Sequence, residues 1–151
     1  MVNKSGNIGT AGETAVKKVL RPFWPRVERR RLEGSLDRGD ITGTPGLVWE
    51  VKAGKAAENA SDAQVIAWLE ETERERKNDN AAYGILVMKK KGAGHDNAGR
   101  WTAVMWSDAF AHLVGGLPSN VASGFPVRCT LDNIVAALTA AGWGDGVEVA
   151  P

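Results

Sequence analysis

Residues 39–52 read GDITGTPGLVWEVK and combine strand-forming residues with charged side chains. Two apolar segments flank Pro45-Gly46, a pair that favours a type II turn, so the stretch predicts two paired strands of a hairpin. Every other side chain of a strand shares a face, so Glu50 and Lys52 lie side by side while Trp49 faces the core. A carboxylate and an ammonium on a half-buried strand indicate a site with chemistry rather than packing alone.

The composition is that of a globular protein with one core. The chain has 151 residues, 43% hydrophobic and 25% charged, which favours a single domain. We expect its core at about 9–115, with a C-terminal extension at about 116–151. No apolar run approaches the roughly 18 residues that span a bilayer, and the N-terminal residues lack the apolar segment of a signal peptide. Cys129 is the single cysteine, which excludes an internal disulfide, and a cytoplasmic location is expected.

Charge is distributed unevenly along the chain although the net charge is only +1. Residues 1–55 carry eleven Lys/Arg against six Asp/Glu, whereas residues 56–80 carry three against seven. Residues 81–100 are basic again, with four against one. A basic patch beside clustered acids suits a phosphate backbone held near a metal, and alternating solvated faces are the competing interpretation.

The rest of the sequence alternates helical and strand patterns. Ser61 is an expected N-cap, and Ser107 is expected to cap a short helix after the strand RWTAVMWS. The predicted helices are about Thr10–Leu20, Asp62–Lys77, the segment SDAFAHLV and the closing segment LDNIVAALTAAG; the other predicted strands are RVERRRLEG, AAYGILVMKK and FPVRCT. This order predicts an α/β sandwich around a central mixed sheet.

Asp40 is the expected partner of Glu50. A four-residue loop would place Asp40 opposite Trp49, facing the core, whereas a five-residue loop or a bulge would place it opposite Glu50. We expect the second arrangement, because bulges are common beside active sites. Two carboxylates about 5 Å apart can share one hard cation such as Mg²⁺. The backbone carbonyl of Val51 is a plausible third ligand, and Lys52 would orient water or stabilise the developing charge.

These motifs resemble a known family. The pattern GD-(x9)-EVK is similar to the PD-(D/E)xK nuclease signature, and "GTAGE" followed by "RRRLEGSLDRGDI" resembles its Holliday junction resolvase branch, of phage and archaeal type. The resemblance covers about residues 9–92 and implies a restriction-endonuclease-like sandwich. The family's helix-one Glu, its Asp and its Glu-x-Lys match Glu13, Asp40, Glu50 and Lys52. Gly39 departs from the pattern, since many members have Pro there.

The resemblance implies a Mg²⁺-dependent endonuclease, with Mn²⁺ as a substitute, that leaves 5′-phosphate and 3′-hydroxyl ends. Its expected substrate is branched DNA such as a four-way junction, and its expected state is a homodimer, in the host cytosol if phage-encoded. Two alternatives stay open. One is a restriction- or repair-type endonuclease on linear duplex DNA, and the other is a non-catalytic DNA-binding module on a degenerate nuclease fold.

Several residues have a structural alternative to the functional interpretation. Glu13 is expected at the metal, directly or through water, but Thr10 and Glu13 also fit a capping box. Basic residues can either contact phosphate or be solvated strand-end charges, and Ser35 could be an ordinary loop residue. The residues expected to contact DNA are Arg29, Arg31, Ser35, Arg38, Lys89, Lys90 and Lys91.

Overall fold

The computed structural model describes residues 4–30, 36–116 and 124–144. Its helices are α1 (Lys4–Leu20), α2 (Lys55–Glu58), α3 (Asp62–Asn78), α4 (Ser107–Gly115) and α5 (Leu131–Ala140), with a 3-10 segment at His95–Arg100. Its strands are β1 (Glu28–Arg29), β2 (Ile41–Thr42), β3 (Leu47–Lys52), β4 (Tyr83–Met88), β5 (Thr102–Trp106) and β6 (Pro126–Thr130). Within these ranges, none of the helices is long and apolar enough to cross a membrane.

A four-stranded mixed sheet organises the fold, in the order β3-β4-β5-β6. β3 and β4 run parallel over six residue pairs, and the other two pairings are antiparallel. A parallel pair needs a long crossover between its strands, and α3 supplies it. The predicted mixed α/β architecture with helices around a central sheet is confirmed.

Each face of the sheet is covered by its own apolar cluster. The larger cluster joins α1 and α5 to side chains such as Trp49 and Val87. The smaller one joins α3 to the opposite face, through Leu69 and Leu86 among others. β3 therefore lies between two helical layers, and its polar side chains Glu50 and Lys52 belong to the face that α3 covers.

The predicted hairpin between β2 and β3 is wrong. β2 pairs instead with β1 in a separate two-stranded ladder, whereas β3 pairs with β4. The turn itself is confirmed: the Leu47 N–H donates to the Thr44 carbonyl at 3.0 Å, with Gly46 at φ +82°. β3 is almost wholly buried, and a six-residue apolar partner offers it more backbone hydrogen bonds than the two residues of β2 can.

Other boundaries are confirmed in part. α3 begins as predicted, with the Ser61 hydroxyl accepting from the Gln64 N–H at 3.1 Å. α1 begins at Lys4, so Thr10 lies inside the helix and the capping-box alternative for Glu13 is wrong. Ser107 is the first helical residue of α4 rather than its cap, because its hydroxyl instead accepts from the Phe125 N–H at 2.9 Å.

Residues 126–140 pack with the rest of the described chain. β6 forms five residue pairs with β5, and α5 buries Leu131, Ile134 and Leu138 in the larger cluster. Residues 126–140 therefore complete the sheet and its core.

Candidate functional site

Glu50 and Lys52 stand side by side near the end of β3, as the alternation of the strand predicts. Their side chains form an ion pair, with 3.1 Å between Lys52 Nζ and Glu50 Oε1. Glu50 is 5% exposed and Lys52 is partly exposed, so the carboxylate lies inside while the ammonium reaches the surface.

Asp40 reaches this pair by a route that neither expected loop register describes. Its backbone N–H donates to the Trp49 carbonyl at 2.9 Å, and its Oδ2 accepts from the Val51 N–H at 2.8 Å. The Asp40 carboxylate thus lies along the edge of β3 that faces away from β4. It lies neither in the core nor across a hairpin ladder. The expected bulge does not place Asp40 at the site, because β2 pairs with β1 and not with β3. Asp40 is held there by the hydrogen bond that its carboxylate accepts from the Val51 N–H.

Gly39 makes this approach possible. Its φ is +94°, in the left-handed region that glycine adopts without strain. A Cβ there would lie 2.9 Å from both the Trp49 carbonyl oxygen and a Val48 methyl. Proline holds φ near −65° and could not take this conformation, which gives a backbone reason for Gly rather than Pro at position 39.

The Val51 carbonyl is directed to the same edge as Asp40. The N–H and C=O of one strand residue point to the same side, and the Val51 N–H bonds Asp40. The carbonyl of Lys52 has the opposite direction, because it accepts from the Lys89 N–H of the β4 side at 2.8 Å. The expected backbone ligand is therefore on the correct side of the strand.

Glu13 lies in the other helical layer, and its charge contributes to the raised pKa of Asp40. α1 crosses close to the end of β3 because Gly12 lacks a side chain: a Cβ on Gly12 would lie 2.3 Å from that of Ala53. Glu13 Oε2 accepts from Arg29 Nε at 2.8 Å, and Arg29 also donates to the Thr10 hydroxyl. Glu13 is thus an ion-paired carboxylate beside the site.

The electrostatics reflect how closely the charged groups converge. Burial, then the Glu50 charge, raises the pKa of Asp40 to about 8, with a smaller contribution from Glu13 and opposition from the Val51 N–H. Burial also raises the pKa of Glu50, against the lowering effects of Glu75 and Lys52. Partial burial acts to lower the pKa of Lys52, but the neighbouring acids, Glu50 above all, act more strongly in the opposite direction. The pKa of Lys52 is therefore raised.

Three further acids surround the pair, and sequence reasoning missed them. Glu71 Oε2 lies 3.5 Å from Lys52 Nζ, and Lys52 stands 5.6 Å from the centre of the Trp68 ring. Carboxylate oxygens of Asp37, Glu71 and Glu75 lie within 4.8 Å of one another. Helical spacing could have found the buried one, because Glu75 continues the inward stripe of Val65, Leu69 and Thr72 on α3.

Glu75 is the most unusual of these groups. It is 1% exposed, and within the described ranges no N–H or O–H donor reaches either of its oxygens or Glu50 Oε2. Burial, then its contact with Glu50, raises the pKa of Glu75 to about 10. Neighbouring carboxyl oxygens without donors are stabilised either by a proton held between them or by a cation.

The residues expected to contact DNA divide into three groups. The parallel pairing places the end of β4 beside the end of β3, and the Lys89–Lys91 run follows β4 directly. Lys90 and Lys91 are exposed, whereas Lys89 is ion-paired with Glu58. Arg38 is exposed in the segment before Asp40, whereas Arg29 is engaged by Glu13. Arg31 and Ser35 lie outside the described residues.

Comparison with protein-family models, with curated proteins and with solved structures gives no match to this chain. The site is therefore interpreted from its own geometry.

Proposed function

We propose that the protein is a metal-dependent DNA endonuclease on a restriction-endonuclease-like fold. The observation that carries this proposal is the meeting of Asp40, Glu50 and Lys52 near the end of β3. Two carboxylates and an ammonium in that arrangement are the groups that phosphodiester hydrolysis needs: ligands for a cation, and a donor for the attacking water or the charged oxygen.

The donor set fits Mg²⁺ or Mn²⁺. Asp40 and Glu50 offer hard carboxylate oxygens, and the Val51 carbonyl is directed to the same edge. Glu50 Oε2 is buried without a hydrogen-bond donor among the described residues, and coordination to a cation would stabilise this oxygen. These three residues would hold the ion. A divalent ion there supplies activation of the attacking water and neutralises charge that develops on the phosphate.

Lys52 performs the remaining chemistry in this proposal. Its ammonium is held between Glu50 and Glu71 and beside the Trp68 ring, so its position is restricted. Because its pKa is raised, it stays protonated at neutral pH and donates to the attacking water or to a phosphoryl oxygen. Glu13 acts on Asp40 from the neighbouring layer, with water-mediated contact to the ion as its proposed role.

Exposed basic residues near the site support DNA as the substrate. Lys90 and Lys91 follow β4, beside the end of β3, and Arg38 precedes Asp40. Such charges bind phosphates without reading sequence. Preference for branched DNA and action as a homodimer come from the sequence resemblance, and both enter the proposal on that basis.

The test compares cleavage of labelled DNA by wild type and by Asp40→Asn, Glu50→Gln and Lys52→Ala in Mg²⁺. We expect each variant to lose at least a hundredfold in rate, while Glu70→Gln, an exposed acid on α3, serves as the matched control and keeps activity. Undiminished cleavage by all three variants would contradict the assignment.

The substrate arm uses a four-way junction and a linear duplex of the same sequence. Faster cleavage of the junction favours the resolvase-like activity, and equal cleavage favours a nuclease of linear duplex DNA. DNA binding that is indifferent to Mg²⁺, without any cleavage, would favour the non-catalytic binding module.

A further inference from the structure

A cleft opens beside the proposed nuclease site, on the side of α3. Its volume is about 460 Å³, enough for a hydrated ion and several waters. It is lined by Asp37, Glu71, Arg74, Glu75, Lys77 and Asn78. The proposed nuclease mechanism assigns no ligand role to these acids.

Three carboxylates converge in this cleft, with one oxygen of each within 4.8 Å of the others. Glu71 and Glu75 are one helical turn apart on α3, so they share a face. Asp37 is held against the end of that helix, because its backbone carbonyl accepts from Asn78 Nδ2 at 2.8 Å. Its Oδ1 accepts from the Gly39 N–H at 3.0 Å, which orients the carboxylate.

Glu75 points to a ligand independently of that convergence. Its side chain is 1% exposed, and neither oxygen accepts a hydrogen bond from any group that the structure describes. A buried carboxylate without a donor costs several kcal/mol unless it is neutralised or coordinates an ion. One of these oxygens lies within 4.8 Å of carboxylate oxygens of Asp37 and Glu71, where a cation would supply what the protein does not.

The nearby cations do not neutralise this cluster. Lys52 pairs with Glu71 at 3.5 Å, but none of the described Lys or Arg side chains forms an ion pair with Asp37 or Glu75. Arg74 and Lys77 line the cleft as exposed side chains. Asp37 and Glu75 therefore have no ion-paired partner among the described residues.

We propose that a hard divalent cation, of the class of Mg²⁺, Mn²⁺ or Ca²⁺, binds the carboxylates of Asp37, Glu71 and Glu75 at a second site. All three ligands are oxygens, which selects hard cations over thiolate- or imidazole-preferring metals. The ion would join the segment before Asp40 to α3, and it would thereby hold Asp40 in place. This site does not require that the chain be a nuclease.

The test counts Mn²⁺ ions bound to the full-length metal-free protein, by electron paramagnetic resonance and by calorimetry with MnCl₂ alone. We expect wild type to bind two ions. Asp37→Asn keeps the Gly39 hydrogen bond but removes a charged ligand, so one of the two ions should bind at least tenfold more weakly. Asp40→Asn should weaken the other ion, and Glu70→Gln should leave both unchanged.

The outcomes separate the two proposals. A single Mn²⁺ that Asp40→Asn weakens and Asp37→Asn does not would overturn the second site and leave the nuclease metal intact. A single Mn²⁺ with the opposite dependence would support the second site alone, whether or not the protein cleaves DNA. No bound Mn²⁺ at all would overturn both. Glu71→Gln repeats the measurement at a second ligand, and circular dichroism establishes that each variant is folded.

Discussion

Replacing Glu75 by Gln should stabilise the metal-free protein, although a buried side chain is being changed. Glu75 is 1% exposed and has no donor within the described residues, and burial followed by the Glu50 contact raises its pKa from 4.5 to about 10. At neutral pH the folded chain must therefore hold a proton that the unfolded chain releases. Gln needs no such proton, and its amide N–H can donate to Glu50.

The magnitude follows from the pKa difference. A pH of about 7.5 is about 3 units above the pKa of 4.5 that the carboxyl has in the unfolded chain. Keeping the proton bound in the folded chain at that pH therefore costs about 4 kcal/mol. Gln also brings a second amide N–H, and leaving it without an acceptor offsets about 1–2 kcal/mol of that gain. The net stabilisation is about 2–3 kcal/mol, or about 4–12 °C in melting temperature for a chain of this size.

The assay is urea and thermal unfolding in EDTA, with Glu70→Gln as the exposed control on the same helix. Because the folded pKa is raised, wild-type stability should fall as pH rises from about 4.5 toward about 10, and the Glu75→Gln curve should be flatter across that window. Equal or lower stability of Glu75→Gln at pH about 7.5, with the control unchanged, would show that Glu75 does not hold a costly proton in the folded protein.

Three more predictions concern the scaffold and its thiol. Gly39→Ala should lower the free energy of unfolding by about 1–3 kcal/mol, because residue 39 has φ +94° and a Cβ would lie 2.9 Å from the Trp49 carbonyl oxygen; an unchanged urea midpoint would count against this. Ser61→Ala should cost about 1 kcal/mol by removing the cap on the Gln64 N–H, whereas Ser61→Asp should restore it; equal stability of the two variants would contradict the capping role. Burial raises the pKa of the Cys129 thiol, so iodoacetamide should modify the folded protein more slowly at pH about 8 than the urea-unfolded protein; similar rates would show that the thiol is not shielded.

The parallel pairing of β3 with β4 determines how the site meets its surroundings. It brings the C-terminal ends of both strands to the same end of the sheet. The Lys89 N–H therefore donates to the Lys52 carbonyl, and the basic run begins beside the carboxylates. The crossover between the strands is α3, which brings Glu71 and Glu75 onto the same face as Lys52. One topological choice thus provides both the basic border and the second acidic cluster.

The local parts of this arrangement were predictable from sequence patterns. Alternation along β3 predicted that Glu50 and Lys52 share a face, and the 3.1 Å ion pair confirms it. The helix after Ser61 and the apolar strand Tyr83–Met88 were also correctly predicted, because caps and short apolar runs are readable within a few residues. Short-range patterns report such features because the interactions that cause them are themselves short-range.

How these parts meet depends on contacts between segments that are distant in sequence. The turn at Pro45-Gly46 forms, yet β2 pairs with β1 because β4, far along the chain, offers β3 a longer buried partner. Asp40 reaches its position through the Val51 N–H, and Glu75 loses its solvent only when α3 packs on the sheet. Strand pairing and burial depend on competition among segments that are distant in sequence. A short stretch of sequence therefore cannot predict their outcome.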